Sequence, residues 1–123
     1  MSIKRVSVRN LEKAILYNGS LGADFRSDVG DLKEMALGYV QAVYTGHDAF
    51  DGVFELFVAN TFCGESTDHF ARYPNSQLQI DAGCGSVGWN LVCAGYRFFQ
   101  IRYTANSVTT GDVEIVAVGK KGG

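Results

Sequence analysis

A chain of 123 residues, 46% of them hydrophobic, is long enough to bury one self-sufficient core and too short for two ordinary domains. Eleven basic against thirteen acidic side chains leave a net charge of -2, which offers no field to gather a polyanion, and no apolar run approaches a membrane span, so neither nucleic acid nor membrane is an expected partner. Fifteen glycines against one proline, with eight Phe and six Tyr, favour short strands and frequent turns over long helices.

The first stretch, Ile3 to Tyr17, mixes two periods: Val6 and Val8 alternate, while Leu11, Ala14 and Ile15 recur at helical spacing. Extended structure is the preferred reading, either as a first strand or as an arm over residues 1–21. Its opening, Met1-Ser-Ile-Lys-Arg, has no apolar region behind it, so export by a cleavable signal is not expected. Asn18-Gly19 reads as a turn, because both residue types tolerate positive φ, leading into an extended segment from Asp24 to Val29.

From Tyr39 to Thr45, Val40, Ala42 and Tyr44 share one face and Tyr39, Gln41 and Val43 the other; apolar residues on both faces predict a central strand. The loop Gly46 to Gly52 carries Asp48 and Asp51. After it, Phe54, Leu56 and Val58 form an apolar row, with Glu55 and Phe57 opposite. Between Thr61 and Asn75 periodicity is lost and the single proline, Pro74, appears, which predicts a long surface loop with room for one short strand.

Leu78 and Ile80 alternate with polar neighbours, Gly83 to Gly88 turns into a strand from Trp89 to Val92, and Arg97 to Thr104 divides into two faces of alternating residues. Val113, Ile115 and Ala117 alternate in the last strand, which runs into the polar end Lys120-Lys-Gly-Gly123. About eight strands at regular spacing predict an all-β, antiparallel sandwich over residues 22–120, with residues 121–123 as a flexible tail.

Three cysteines at loose spacing argue against a complete disulfide framework and lack the paired spacing of a zinc site. Reduced thiols are expected, with a Cys84–Cys93 bridge across a hairpin as the alternative. His47, Asp48 and Asp51 offer donors to a metal without EF-hand spacing. Cys63, Asp68 and His69 would need the fold to align them as nucleophile and base. Glu55, Asp81 and Glu114 are carboxylates whose separation decides whether any two form an acid/base pair. No cofactor motif is present, and no cofactor, metal or catalytic group is expected.

The run Gly22 to Leu32, the strand Gly38-Tyr-Val-Gln-Ala-Val-Tyr-Thr-Gly46, the strand Gly52-Val-Phe-Glu-Leu-Phe-Val-Ala-Asn60 and Gly95-Tyr-Arg-Phe-Phe-Gln-Ile-Arg-Tyr-Thr104 together resemble small phage structural proteins. The resemblance covers roughly Gly22 to Lys120 and is one of strands and turns. This chain departs from it at Ala59-Asn60-Thr61-Phe62-Cys63, where that group carries a Ser-Asn-Asp type turn and a tryptophan.

What the resemblance implies is a compact sandwich of jelly-roll type in a virion, assembled in the host cytoplasm. Such a subunit decorates a head or associates with a tail, binding a major capsid or tail protein without enzymatic activity.

A small domain seldom exposes several rings together, so Phe57, Phe98 and Tyr39, on the faces turned away from the expected core, are candidates for contact with other subunits. A homo-oligomer, such as a trimer, is expected. The alternative is a carbohydrate-binding module for host-surface adhesion, with Trp89 stacking on a sugar and Asp48, Asp51 and Asn60 accepting or donating hydrogen bonds.

Overall fold

A computed structural model describes residues 3–64, 66–80, 85–92 and 95–122. Within them the chain forms eleven strands and no helix: β1 (Arg5–Ser7), β2 (Ala14–Ser20), β3 (Phe25–Arg26), β4 (Val29–Asp31), β5 (Met35–Thr45), β6 (Val53–Ala59), β7 (Ala71–Arg72), β8 (Leu78–Gln79), β9 (Ser86–Val92), β10 (Phe98–Thr104) and β11 (Asp112–Lys121). One sheet has the order β2-β11-β5-β9; the other follows β1-β4-β10-β6-β7, with β3 also on β10 and β8 also on β6.

Eleven exceeds the expected eight because two long strands are broken by serines. Between β3 and β4, Ser27 takes over the ladder: its N–H donates to the Ile101 carbonyl at 2.9 Å, and its hydroxyl accepts from the Ile101 N–H at 3.0 Å. Gln100, fully buried, donates its side-chain amide to the Ser27 carbonyl.

Between β7 and β8, Ser76 does the same for β6, accepting from the Leu56 N–H at 3.1 Å and donating to the Leu56 carbonyl. In each place the hydroxyl accepts from the N–H that the break would leave unpaired, while a backbone N–H, of Ser27 or of Tyr73, still serves the carbonyl.

Counted as single interrupted strands, these leave eight after β1. The two sheets then read first-eighth-third-sixth and second-seventh-fourth-fifth, the strand order of a jelly roll.

The core lies between the sheets, filled by the alternating residues of the long strands, among them Val40, Ala42 and Tyr44 of β5, Phe54 and Leu56 of β6, and Phe99, Ile101 and Tyr103 of β10. β10 and β6 pair over their full lengths, from Phe98 opposite Ala59 to Thr104 opposite Val53. β5 is central, between β11 and β9.

Several expectations are corrected. Of the two readings of the first 21 residues, the described ones take the strand and not the arm: β1 joins one sheet, β2 joins the other, and Val8, Leu16 and Leu21 are buried in the shared core. β1 pairs with β4 in parallel, so the sandwich is not wholly antiparallel.

Asn18 and Gly19 lie inside β2, opposite Glu114 and Val113. The glycine gives room to Tyr17, whose hydroxyl would sit 2.7 Å from a Cβ there. Lys121 is no part of a loose tail: with Lys120 it belongs to β11, and its N–H donates to the Asn10 side chain at 3.1 Å. Cys63 is exposed and free; Cys84 and Cys93 lie outside the described residues.

Tyr103 supplies a pH-dependent part of the stability. Its buried hydroxyl donates to the Leu21 carbonyl at 2.9 Å. Burial first, and then the negative charges of Asp51, Asp24 and Asp48, push the phenol up to about 12. The folded state therefore holds this proton more tightly than the unfolded chain does, where the phenol titrates near ~10. The resulting stabilisation is complete below about pH 10 and is lost as the pH rises towards about 12. Tyr103→Phe should lower the unfolding free energy at pH 8 by the loss of one hydrogen bond, about 1 kcal/mol, and flatten its decline between pH 10 and 12, both read from urea titrations. An unchanged alkaline decline would refute this assignment.

Candidate functional site

The two outer faces differ in what covers them. On the seven-stranded sheet, Phe98 is only 4% exposed: with Val29, Phe62 and Phe70 it forms a second small core, sealed by the loop after β6. Phe62 packs edge-on to Phe98 with ring centroids 6.1 Å apart, and the Arg97 guanidinium lies 4.9 Å from the Phe98 ring.

Phe57 is half-buried under Arg102, whose guanidinium is 3.9 Å from the ring centre, with Arg72 at 6.0 Å. Burial and the neighbouring charge of Arg26 lower the pKa of Arg102, while Asp68 and Glu55 oppose that shift. Arg26 holds Asp68 at 2.9 Å and draws its carboxyl below the usual range; Arg72 holds Glu55 at 2.6 Å. The expectation that Phe57 and Phe98 form an open apolar face is thus corrected: the long loop brings its own phenylalanines and the strands their own arginines to cover it.

Among the described residues the four-stranded sheet has no such cover. Register places its outward side chains in rows. Ile15, Val116, Gln41 and Gly88 form one; Val118, Tyr39 and Asn90 the next; Lys120, Leu37 and Val92 the last; and on the other side come Asn18, Glu114, Val43 and Ser86. Ile15, Leu37, Tyr39, Val43, Val92 and Val118 are all large, apolar and exposed, Val92 to 57%. The three residues joined to this face by sequence reasoning were Tyr39, Gln41 and Val43; of the interface candidates, only Tyr39 lies on it.

Two local features shape the surface. Tyr39 lies across β9 on Gly88, where a Cβ would come within 2.0 Å of its hydroxyl, so the ring is laid against the sheet. Leu11 has φ of 58° and is 72% exposed. A leucine in the left-handed region is uncommon and costs backbone energy. It is held there by its N–H donating to the Gly119 carbonyl at 2.8 Å and by the Asn10–Gly119 bridge. Leu11 thereby walls a shallow apolar groove of about 230 Å³ with Leu37, Tyr39 and Val118. At the rim, Lys13 sits 3.3 Å from Glu114.

The residues proposed for sugar binding do not gather. Trp89 is 7% exposed, edge-on to Phe54 in the core, and its indole N–H donates to the Ser76 carbonyl at 2.6 Å. Its ring is therefore not a stacking platform.

Asp48 accepts from the Thr109 N–H at 2.9 Å and from the Thr109 hydroxyl, bonds that hold its carboxyl down at about 2. Asp51 accepts from the Ser107 N–H at 3.1 Å. Both carboxylates clasp the loop before β11. Asn60 is beyond the opposite end of β6, a strand of seven residues, hence on the order of 20 Å away.

The other constellations disperse as well. His69 bonds the Thr61 carbonyl at 2.7 Å while Asp68 faces Arg26, so they do not align with Cys63. Glu55 and Glu114 point from different sheets, and Asp81 is outside the described residues. Among the described residues no group of three or more His, Cys, Asp or Glu side chains could hold a metal ion.

By architecture the chain is a jelly-roll sandwich with one bare apolar face. Compared with models of known protein families and with curated proteins, it matches none.

Proposed function

We propose that this protein is a non-enzymatic structural subunit of a phage particle, a head decoration or head/tail-associated protein that works by self-association and by binding a capsid or tail protein. The observation that carries this reading is the uncovered apolar face of the four-stranded sheet, since contiguous exposed apolar patches on a small domain mark sites of association. The jelly roll is an architecture that viral capsid proteins use, which adds support by analogy of fold. The resemblance of the β5, β6 and β10 segments to small phage structural proteins points the same way.

The test is composition. Mass spectrometry of gradient-purified particles from cells carrying the gene should find the chain at many copies per particle. Val118→Lys, which places a charge on the bare face, should lower its incorporation at least tenfold with the fold intact. Particles of full composition lacking the chain would overturn the proposal.

A further inference from the structure

We propose that the bare face of the four-stranded sheet pairs with the same face of a second copy, about a two-fold axis that runs across the strands at the level of Ala117. This deepens the assembly reading above and rests on it. The argument starts from β11, whose outward row runs Glu114, Val116, Val118, Lys120: acid, two aliphatics, base. A two-fold axis across the strands at residue 117 reverses that row onto itself. Glu114 then faces Lys120 of the second copy at both ends, and Val116 faces Val118.

The same operation sets Leu37 of β5 against Val43 of the second copy, and brings Ile15 over the rim where Leu11 projects. An axis along the strands would instead set both charges on aliphatic residues of β5. Charge pattern and apolar pattern thus select one orientation. In it the strands of the two copies run antiparallel, within the roughly 30° at which twisted sheets stack.

The size fits. Four strands at ~4.8 Å spacing and about ten residues of ~3.3 Å rise give a face on the order of 600 Å² before side-chain relief, near the ~800 Å² per partner of a stable interface. The strained backbone at Leu11 gains a purpose there, since it holds an aliphatic knob beside the apolar groove, where the second copy closes over it. Glu114 keeps Lys13 beside it, so in the pair it lies between two lysines. The other sheet lacks such a face, because its phenylalanines are already covered and its β7–β8 edge is broken at Pro74 and Ser76. Two-fold pairing yields a dimer, in place of the trimer expected from sequence.

Sedimentation equilibrium from 1 to 100 µM at low salt tests this. The wild-type chain should approach twice its 13.3 kDa mass. Glu114→Lys alone and Lys120→Glu alone each turn two rim pairs into repulsions, and each should weaken the dimer about tenfold. Mixing the two variants should restore near wild-type affinity as a heterodimer, because each acid then meets a base. Urea midpoints that match at concentrations where every variant is monomeric would show that the variants fold.

A wild-type monomer at 100 µM, a trimer, or a dimer indifferent to the charge swaps would overturn the pairing. If that monomer still coats particles, the face belongs to a shell or tail protein and the particle role stands without the dimer. A charge-sensitive dimer absent from particles supports the pairing and overturns the particle role.

Discussion

Replacing Phe54 with alanine should cost about 3–5 kcal/mol, the range for emptying a fully enclosed aromatic site. Phe54 has no exposed surface and stands at the centre of the aromatic core. Its ring centroid lies 4.7 Å from that of Tyr103, 6.1 Å from Tyr44, 6.4 Å from Trp89 and 6.5 Å from Phe25. Those rings come from both sheets, so the space left by Phe54 cannot close without moving the layers relative to each other.

A domain of this size holds roughly 6–18 kcal/mol in total, and the loss is therefore a large share of it. With a urea slope of about 1–3 kcal/mol per molar, the midpoint should fall by about 2 M. Phe50→Ala, at a loop phenylalanine that is 53% exposed, should shift stability by no more than about 0.5 kcal/mol. Equal shifts for the two variants would show that the inter-sheet rings are not the main support of the fold.

The strands that could be read from sequence are those with one face in the core. In β6, Phe54 and Leu56 alternate with Glu55, and in β10 Phe99, Ile101 and Tyr103 alternate with Arg102, because the pleat sends successive side chains to opposite sides. The breaks at Ser27 and Ser76 were not readable, since whether a serine hydroxyl replaces a ladder bond depends on the strand beside it.

Gly19 looked like a turn because glycine tolerates positive φ. Its use here is to admit the Tyr17 ring, a contact visible only in three dimensions.

The candidate face was half legible. Apolar residues on both sides of β5 predict a central strand, which it is, but the same pattern suits a second side that is covered and a second side that is bare. Nothing local distinguishes the two, because cover is supplied by distant segments. Phe98 looked available for the same reason, until Phe62 and Phe70, 36 and 28 positions earlier, folded over it. Trp89 could not be assigned to core or surface without knowing that Ser76 would offer its carbonyl.

Two glycines with the same crowding should give opposite results on mutation to alanine, because their neighbours differ in freedom. A Cβ at Gly30 would lie 2.2 Å from Cε1 and 2.3 Å from Cζ of Phe99, the residue paired with it across β4 and β10. Phe99 is wholly buried, so the ring cannot step aside. Overpacking of this kind costs about 1–3 kcal/mol, and Gly30→Ala should fall at the upper end.

A Cβ at Gly88 would come still closer, 2.0 Å, to the Tyr39 hydroxyl, but that ring lies on the bare face and can swing into solvent. Gly88→Ala should therefore change stability by less than about 0.5 kcal/mol, since glycine inside a strand is itself unfavourable relative to alanine.

Phe99→Leu in the Gly30→Ala background makes room for the added methyl. The pair should couple by at least about 1 kcal/mol in a double-mutant cycle, as residues in direct contact do. If Gly30→Ala proved as mild as Gly88→Ala, the packing of Phe99 against β4 would be wrong, and with it the alignment of the strands that carry the second sheet. If Gly88→Ala, keeping its stability as expected, also lost dimerisation, the Tyr39 ring held against β9 would be identified as part of the contact surface.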